Sequence, residues 1–231
     1  MDNFTYEYYE TIFKEALAHE YQIITLKEFF LDEYDKDKKV LVNRIDVDFK
    51  IARLRRFYQI FKKLGIRASI YVRLHAPDYN LLAIGNIKIM QDLISIGCEV
   101  ALHTELEDVE HYCQLEKQNL LKREIAFFET IFETKLYGTA SHGDMTPNNN
   151  LDFWKTNKAS DFGLLYEAYD DKLWKNCRYV SDSEWTRWKA YENGELLKDD
   201  RRTPIGHMQE GCRVLHTLTH PESWYDGYIY E

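Results

Sequence analysis

Breakers of regular structure are scarce in this chain: its 231 residues include only 10 glycines and 4 prolines. There is no Gly-, Ser- or Pro-rich stretch, no low-complexity run and no repeat, so nothing reads as a linker between domains. The nearest approach to a boundary is the charged segment Asp32–Lys39, which reads as a solvated turn. One domain over residues 1–231 is expected, long enough for a full core, with residues 1–38 as a helical lead-in. Cysteine is equally sparse. Cys98, Cys113, Cys177 and Cys212 are scattered without C-x-x-C spacing, which leaves neither a disulfide framework nor a cysteine metal site and predicts reduced thiols. Segregated positive charge is absent too: the net charge is −9 and the bases are interspersed with acids. The densest basic group, Arg53, Arg55, Arg56, Lys62 and Lys63, falls on an expected helix as a solvated face, so no nucleic-acid partner is expected. No apolar run is long enough to cross a bilayer. The first residues have neither a basic nor an apolar leader segment, and the cytoplasm is the expected location.

What the chain does hold is an alternation of two periods. Residues 6–19 and 26–31 read as short helices around Gln22–Thr25. Lys39–Asp46 is an apolar run of strand length, followed by Ile51, Leu54, Phe57, Phe61 and Leu64 at helical spacing, closed by Gly65. Arg67–Leu74 and Cys98–His103 read as further strands, with a helix over Asn86–Ile96 between them. A long periodic helix is expected from about Asp108 to Glu133, its stripe made by Leu115, Leu120, Ile125, Phe128 and Phe132. Leu136–His142 is a fourth strand, Asn150–Thr156 a short helix, and later strands are expected at Phe162–Tyr166, Arg178–Ser181 and Val214–Thr219. Strands alternating with helices imply an α/β fold with parallel pairing, in which ligands collect at the carboxyl ends of the strands.

Those ends carry Asp46-Val-Asp48, His103, His142 and His220. Any one of them alone has an ordinary structural reading: the aspartates as a turn leading into a helix, each histidine as a structural strand-end residue. The set points further. Two imidazoles and a carboxylate are the shell of a catalytic zinc or a related ion. Such an ion acidifies a water and polarises a carbonyl, and a carboxylate base with a histidine acid would complete hydrolysis of an amide or ester. Asp46 and Asp48, two apart in extended chain, point the same way, so one could ligate while the other takes a proton.

The pieces Arg44-Ile-Asp46-Val-Asp48-Phe49, Cys98-Glu-Val-Ala-Leu-His103, Ser141-His142-Gly143, Tyr179-Val-Ser-Asp-Ser183 with Trp185, and Leu218-Thr-His220-Pro221 resemble the polysaccharide deacetylase superfamily. The resemblance covers roughly Tyr21 to Tyr225 and is closest to the branch found with bacterial surface-polysaccharide biosynthesis. It implies a distorted (β/α) barrel, a divalent metal, zinc above all, and removal of an N-acyl group from an amino sugar. The implied roles are Asp46 as base, Asp48 and His103 as metal ligands, His220 as acid toward the leaving amine, and Trp185 beside the acyl group. Where the family has a second histidine, four residues after the first, this chain has Glu107. His142 is the expected replacement, with Glu107 as the alternative. The family's Arg-x-Pro-Tyr motif is not evident. Asp182 and Arg187 are expected near the pocket, as sugar or phosphate contacts or as plain surface. The implied substrate is a small-molecule or lipid-linked sugar precursor; the competing reading is a degenerate relative that binds a glycan or a partner enzyme.

Overall fold

A computed structural model of the chain describes residues 4–143, 146–184 and 187–227. In chain order the elements are α1 (Tyr6–Ala18), β1 (Gln22–Ile24), α2 (Leu26–Phe30), β2 (Val40–Val47), α3 (Leu54–Leu64), β3 (Ser69–Val72), α4 (Ile84–Ser95), β4 (Glu99–Thr104), α5 (Leu106–Cys113) and α6 (Lys117–Phe132). They continue with β5 (Gly138–Ser141), β6 (Tyr166–Glu167), α7 (Asp171–Trp174), β7 (Arg178–Ser181), β8 (Lys189–Glu192), β9 (Glu195–Leu196), α8 (Pro204–Gln209) and β10 (Val214–Thr219). The strands form one sheet in the order β6-β5-β4-β3-β2-β10-β7-β8-β9, parallel except for the β7-β8-β9 edge. This is the α/β fold with a mixed, mostly parallel sheet that the sequence pattern implies.

β2 is the axis of the sheet. All eight of its residues are buried, as expected of a parallel strand covered on both faces. β10 lies along one edge of it, while the other edge is shared, by β1 at Val40–Val42 and by β3 at Arg44–Val47. The sheet therefore splits at Asn43, and the strands beyond it curl. Side chains far apart in strand order meet across the interior: Tyr71 of β3 and Tyr166 of β6 share a 2.8 Å hydroxyl contact. Tyr169, just after β6, comes within 6.3 Å of Tyr179 on β7, although no ladder joins those strands among the described residues. The result is an incomplete barrel, with α1, α3, α4 and α6 side by side around it.

Its interior is polar for a barrel. Glu99 accepts from Ser69 Oγ and from Tyr166 Oη, each at 2.5 Å, and from the Lys27 amide at 2.9 Å. Leu26 N–H donates to Ser69 Oγ at 2.7 Å. The first turn of α2 thus closes the amino-terminal end of the barrel, and the hydrogen bonds compensate a carboxyl that burial pushes upward.

Several local expectations need correction. The long helix over 108–133 is two helices: Gln114 takes a left-handed φ of 56°, and Glu116 caps α6 by accepting from the amides of Gln118 and Asn119. Leu115 is consequently exposed, and Leu121 takes its place in the core. The strand expected at Phe162–Tyr166 shrinks to β6 behind a 3-10 turn at Ala159–Phe162, and Asn150–Lys155 is also a 3-10 turn. The hairpin β8–β9 adds to the expected elements. Its signal was present as Asn193-Gly194, both with positive φ (51° and 85°), the chemistry of a two-residue hairpin turn.

His75, past the end of β3, pairs with Glu124 of α6 at 2.6 Å, and that contact raises its imidazole above the ordinary 6.5. Because the folded value lies above the unfolded one, the stabilisation is complete below 6.5 and is lost as pH rises through the folded value. His75→Gln should therefore lower the urea midpoint at about pH 5.5 and have little effect at about pH 9.5. Equal losses at both pH values would show that the ion pair contributes nothing.

Candidate metal centre

Alternation along β2 puts Arg44, Asp46 and, just past the strand, Asp48 on the interior face. Asp46 is buried and accepts from Arg44 through both oxygens, from Nε at 2.9 Å and Nη2 at 2.7 Å. Burial alone would raise the Asp46 carboxyl, but Arg44, helped by His103 and His220, holds it below the ordinary value. Tyr71 and Tyr169 place their rings 5.4 and 4.6 Å from the Arg44 guanidinium. The sequence reading assigned Arg44 no role; the same-face spacing of Arg44 and Asp46 was the available signal.

His103 is the penultimate residue of β4, with its ring buried. Its Nδ1 lies 2.9 Å from the Ala140 carbonyl of β5. A carbonyl can only accept, so Nδ1 carries a proton and Nε2 is the ring atom turned to the interior; burial would lower the imidazole, but Asp46 and Asp48 raise it above its ordinary value. That Nε2 is 3.4 Å from Asp48 Oδ1 and 3.4 Å from Asp46 Oδ2, so both carboxylates face it, as the spacing implied. His142, the residue after β5, brings its Nε2 to 3.7 Å from Asp48 Oδ1. Burial first and His103 second push the His142 imidazole down to about 4, which keeps it neutral at ordinary pH. Asp48 is held well below the carboxylate range: burial would raise it, but His103, His220 and His142 prevail.

Asp48, His103 and His142 each turn one ligand atom toward a common point, all within 4.8 Å of one another. Asp48 Oδ1 is buried and has no hydrogen-bond partner among the described residues. A carboxylate oxygen and two imidazole nitrogens turned to the same space have the donor chemistry of a divalent-cation site, and the residues fit such an ion. Behind the trio, Arg73 donates to the Asp48 carbonyl at 3.2 Å and to Glu105 at 2.6 Å, and Glu105 lies 3.8 Å from His142 Nδ1.

Glu107 does not join them. It lies in the first turn of α5, paired with Lys117 at 2.8 Å. Asn150 holds that turn in place, accepting from the Glu107 amide at 3.0 Å and donating to the His142 carbonyl at 3.2 Å. The same buried side chain thus keeps Glu107 out and anchors His142.

His220 follows β10, with Nε2 4.0 Å from Asp48 Oδ2. Asp182, expected to face substrate, does something else. It is fully buried, with Oδ1 2.6 Å from His220 Nδ1 and Oδ2 accepting from the His220 amide at 3.0 Å and from Trp224 Nε1 at 2.9 Å. Fully buried and already holding three donors, it is out of reach of a sugar hydroxyl. Burial lowers the His220 imidazole, but Asp182 outweighs it and lifts the value to about 10, so the ring is protonated at neutral pH. Arg187 is exposed, and Trp185 lies outside the described residues. Trp188 is core, stacked 5.4 Å from Phe4. The aromatic wall comes from other residues: the pocket, of about 350 Å³, is bounded by Tyr169, Trp174, Tyr179 and Tyr191, with Lys189 beside them.

Comparison with models of known protein families finds no match, and neither does comparison with curated proteins. Similar folds do exist among solved structures. One is a CE4 family pseudoenzyme from Bacillus anthracis, at 14% identity and a TM-score of 0.46, covering 81% of this chain and 56% of that one. Another is a Streptococcus pyogenes deacetylase in complex with acetate, at 16% identity and a TM-score of 0.48, covering 64% and 66%. A third is a polysaccharide deacetylase from Bacillus cereus, at 13% identity and a TM-score of 0.46, covering 80% of each. The chain thus spans little more than half the length of the pseudoenzyme it matches. These are likenesses of fold, and the chemistry has to be read from this chain's own residues.

Asp182→Asn tests the electrostatics of the site. In metal-free protein followed by NMR, the His220 titration midpoint should fall from about 10 toward the ordinary 6.5. A midpoint that stays put would mean that Asp182 does not set it.

Proposed function

We propose that the protein is a metal-dependent hydrolase that removes an N-acyl group, acetyl foremost, from an amino sugar or sugar precursor of surface-polysaccharide type. The observation that carries this is the trio Asp48, His103 and His142, set between an ionised Asp46 and a protonated His220. Those three would hold the ion, with zinc favoured by two imidazoles and one carboxylate. When bound, it would supply a Lewis acid that polarises the acyl carbonyl and acidifies a water. Asp46, kept anionic by Arg44, is the group placed to accept a proton. His220 is placed to donate one from Nε2 to the departing amine, because Asp182 holds Nδ1. The aromatic wall suits a sugar ring: flat, partly apolar surface with polar groups at its edge.

One observation favours a second reading, a catalytically degenerate protein that binds a glycan. Arg44 engages both oxygens of Asp46 and holds its carboxyl below the ordinary value, which makes it a weaker proton acceptor. Metal content and turnover separate the two readings. Purified without chelator, the wild type should contain near-stoichiometric metal by elemental analysis, and Asp48→Ala, His103→Ala and His142→Ala should each lose it. Glu107→Ala should keep it. Asp46→Asn should retain metal but lose roughly 10²–10⁴-fold in acetate release from N-acetyl sugars. A wild type that binds metal yet releases no acetate would leave the binding protein as the reading.

A further inference from the structure

Lys189 is the first residue of β8 and stands opposite Ser181 of β7, as Tyr191 stands opposite Tyr179. Opposed residues of an antiparallel pair share a face, so Lys189 and Tyr191 project with Tyr179 into the metal pocket, which all three line. The lysine is half-buried, with Nζ 5.4 Å from the centre of the Tyr191 ring. That ring is itself fixed, 5.8 Å from Tyr179 and 5.2 Å from Trp174. The hairpin turn backs Trp174 so closely that a Cβ on Gly194 would lie 2.9 Å from its Nε1. A ring face attracts an ammonium and positions it without neutralising it.

The acids around Lys189 are committed elsewhere. In the pocket, Asp46 is held by Arg44, and Asp48 is turned to His103 and His142. Beside it, Glu184 pairs with Arg201 at 2.6 Å. A groove of about 980 Å³ runs on from the pocket, sharing Tyr169, Trp174 and Tyr191 with it. There Glu167 is buried, accepting from the amides of Ser141 at 2.9 Å and Tyr169 at 2.7 Å. Asp170 accepts from the Lys172 amide at 2.8 Å, and Asp171 pairs with Lys175 at 2.6 Å. The other cations of the site are likewise matched, Arg44 by Asp46 and His220 by Asp182. Among the described residues of the pocket, the charge left for a ligand is therefore that of Lys189. A concave site focuses such a charge on whatever enters it. At about 350 Å³ the pocket is of the size for one sugar ring, which puts the partner of Lys189 on the acylated sugar itself.

We propose that Lys189 is a specificity-determining residue that pairs with an anionic group on the acylated sugar, either a ring carboxylate, as in a uronic acid, or a phosphate on the anomeric oxygen. The inference rests on the hydrolase reading only in taking this sugar to be the acylated one.

Ligand-observed NMR on the metal-loaded wild type gives two readouts: early spectra report binding, and growth of the acetate methyl signal reports turnover. The probes are N-acetylglucosamine, N-acetylglucosaminuronic acid and N-acetylglucosamine 1-phosphate. At least one of the two anionic sugars should bind roughly tenfold more tightly than the neutral one, and the tighter of the two tells carboxylate from phosphate. Lys189→Gln should cut that advantage to about twofold or less, and Lys189→Arg, which keeps the charge, should preserve most of it. Added salt should shrink it. Equal affinity for all three sugars, tightest binding of the neutral one, an advantage that survives Lys189→Gln, or binding of none overturns the proposal. Acetate release separates the two ideas. Release from neutral and anionic sugars with equal efficiency removes the anion contact and leaves the hydrolase. A Lys189-dependent preference without acetate release from any of the three removes the hydrolase and leaves the anion contact.

Discussion

The ion pair between Arg44 and Asp46 is the constraint around which the molecule is arranged. Two charges on the central strand, each almost inaccessible to water, lose several kcal/mol of hydration apiece, and only near-ideal geometry can offset that. The bidentate fork supplies the geometry. The surrounding barrel supplies the rest: Tyr71 and Tyr169 flank the guanidinium, and the Tyr71–Tyr166–Glu99 chain carries polar contacts down through the interior. Removing one partner of such a pair costs about 3–5 kcal/mol in general, because the other stays buried and uncompensated. The pair also keeps Asp46 anionic.

Above it, the rim is built by delegation. Each group that faces the pocket is oriented by another that does not: His103 by the Ala140 carbonyl, His220 by Asp182, Asp48 and Glu105 by Arg73, and the His142 segment by Asn150. Outer contacts of this kind typically matter 10- to 100-fold in metal affinity or activity, because they select the tautomer and remove ring rotation. The electrostatic consequence is a division of labour among three histidines in one small space. His142 is kept neutral by burial, His103 is fixed with Nε2 inward and raised by Asp46 and Asp48, and His220 is kept charged by Asp182. Identical side chains thus acquire different chemistry from their neighbours alone.

Much of this was legible in the chain. Strand ends are marked by a change from apolar to polar residues, and parallel strands deliver those ends to one rim, so Asp46, Asp48, His103, His142 and His220 could be gathered without coordinates. The Asn193-Gly194 turn was equally local and equally readable, and with it the hairpin that brings Lys189 and Tyr191 to the pocket. Asp182 was found, but with the wrong task. A residue number gives the rim to which a carboxylate belongs; whether its oxygens face a ligand or the backbone and ring of His220 depends on packing between β7 and β10. The same limit applies to the tryptophans, since Trp174 and Trp188 have similarly polar neighbours in sequence, yet one lines the pocket and the other lies in the core.

By itself the sequence determined the alternation of strands and helices, the parallel sheet this requires, and the residue types placed at its carboxyl edge. Those follow from periods of two and three-and-a-half residues and from the one-dimensional order of polar and apolar side chains. Only the tertiary structure decided which of His142 and Glu107 joins Asp48 and His103, that Arg44 is the partner of Asp46, and that the pocket opens into an aromatic groove. The reason is that these depend on distances between segments remote in the chain: Asn150 must reach both His142 and the first turn of α5, and Trp174 must meet Gly194. No local pattern encodes such meetings; the curling of the sheet around β2 creates them.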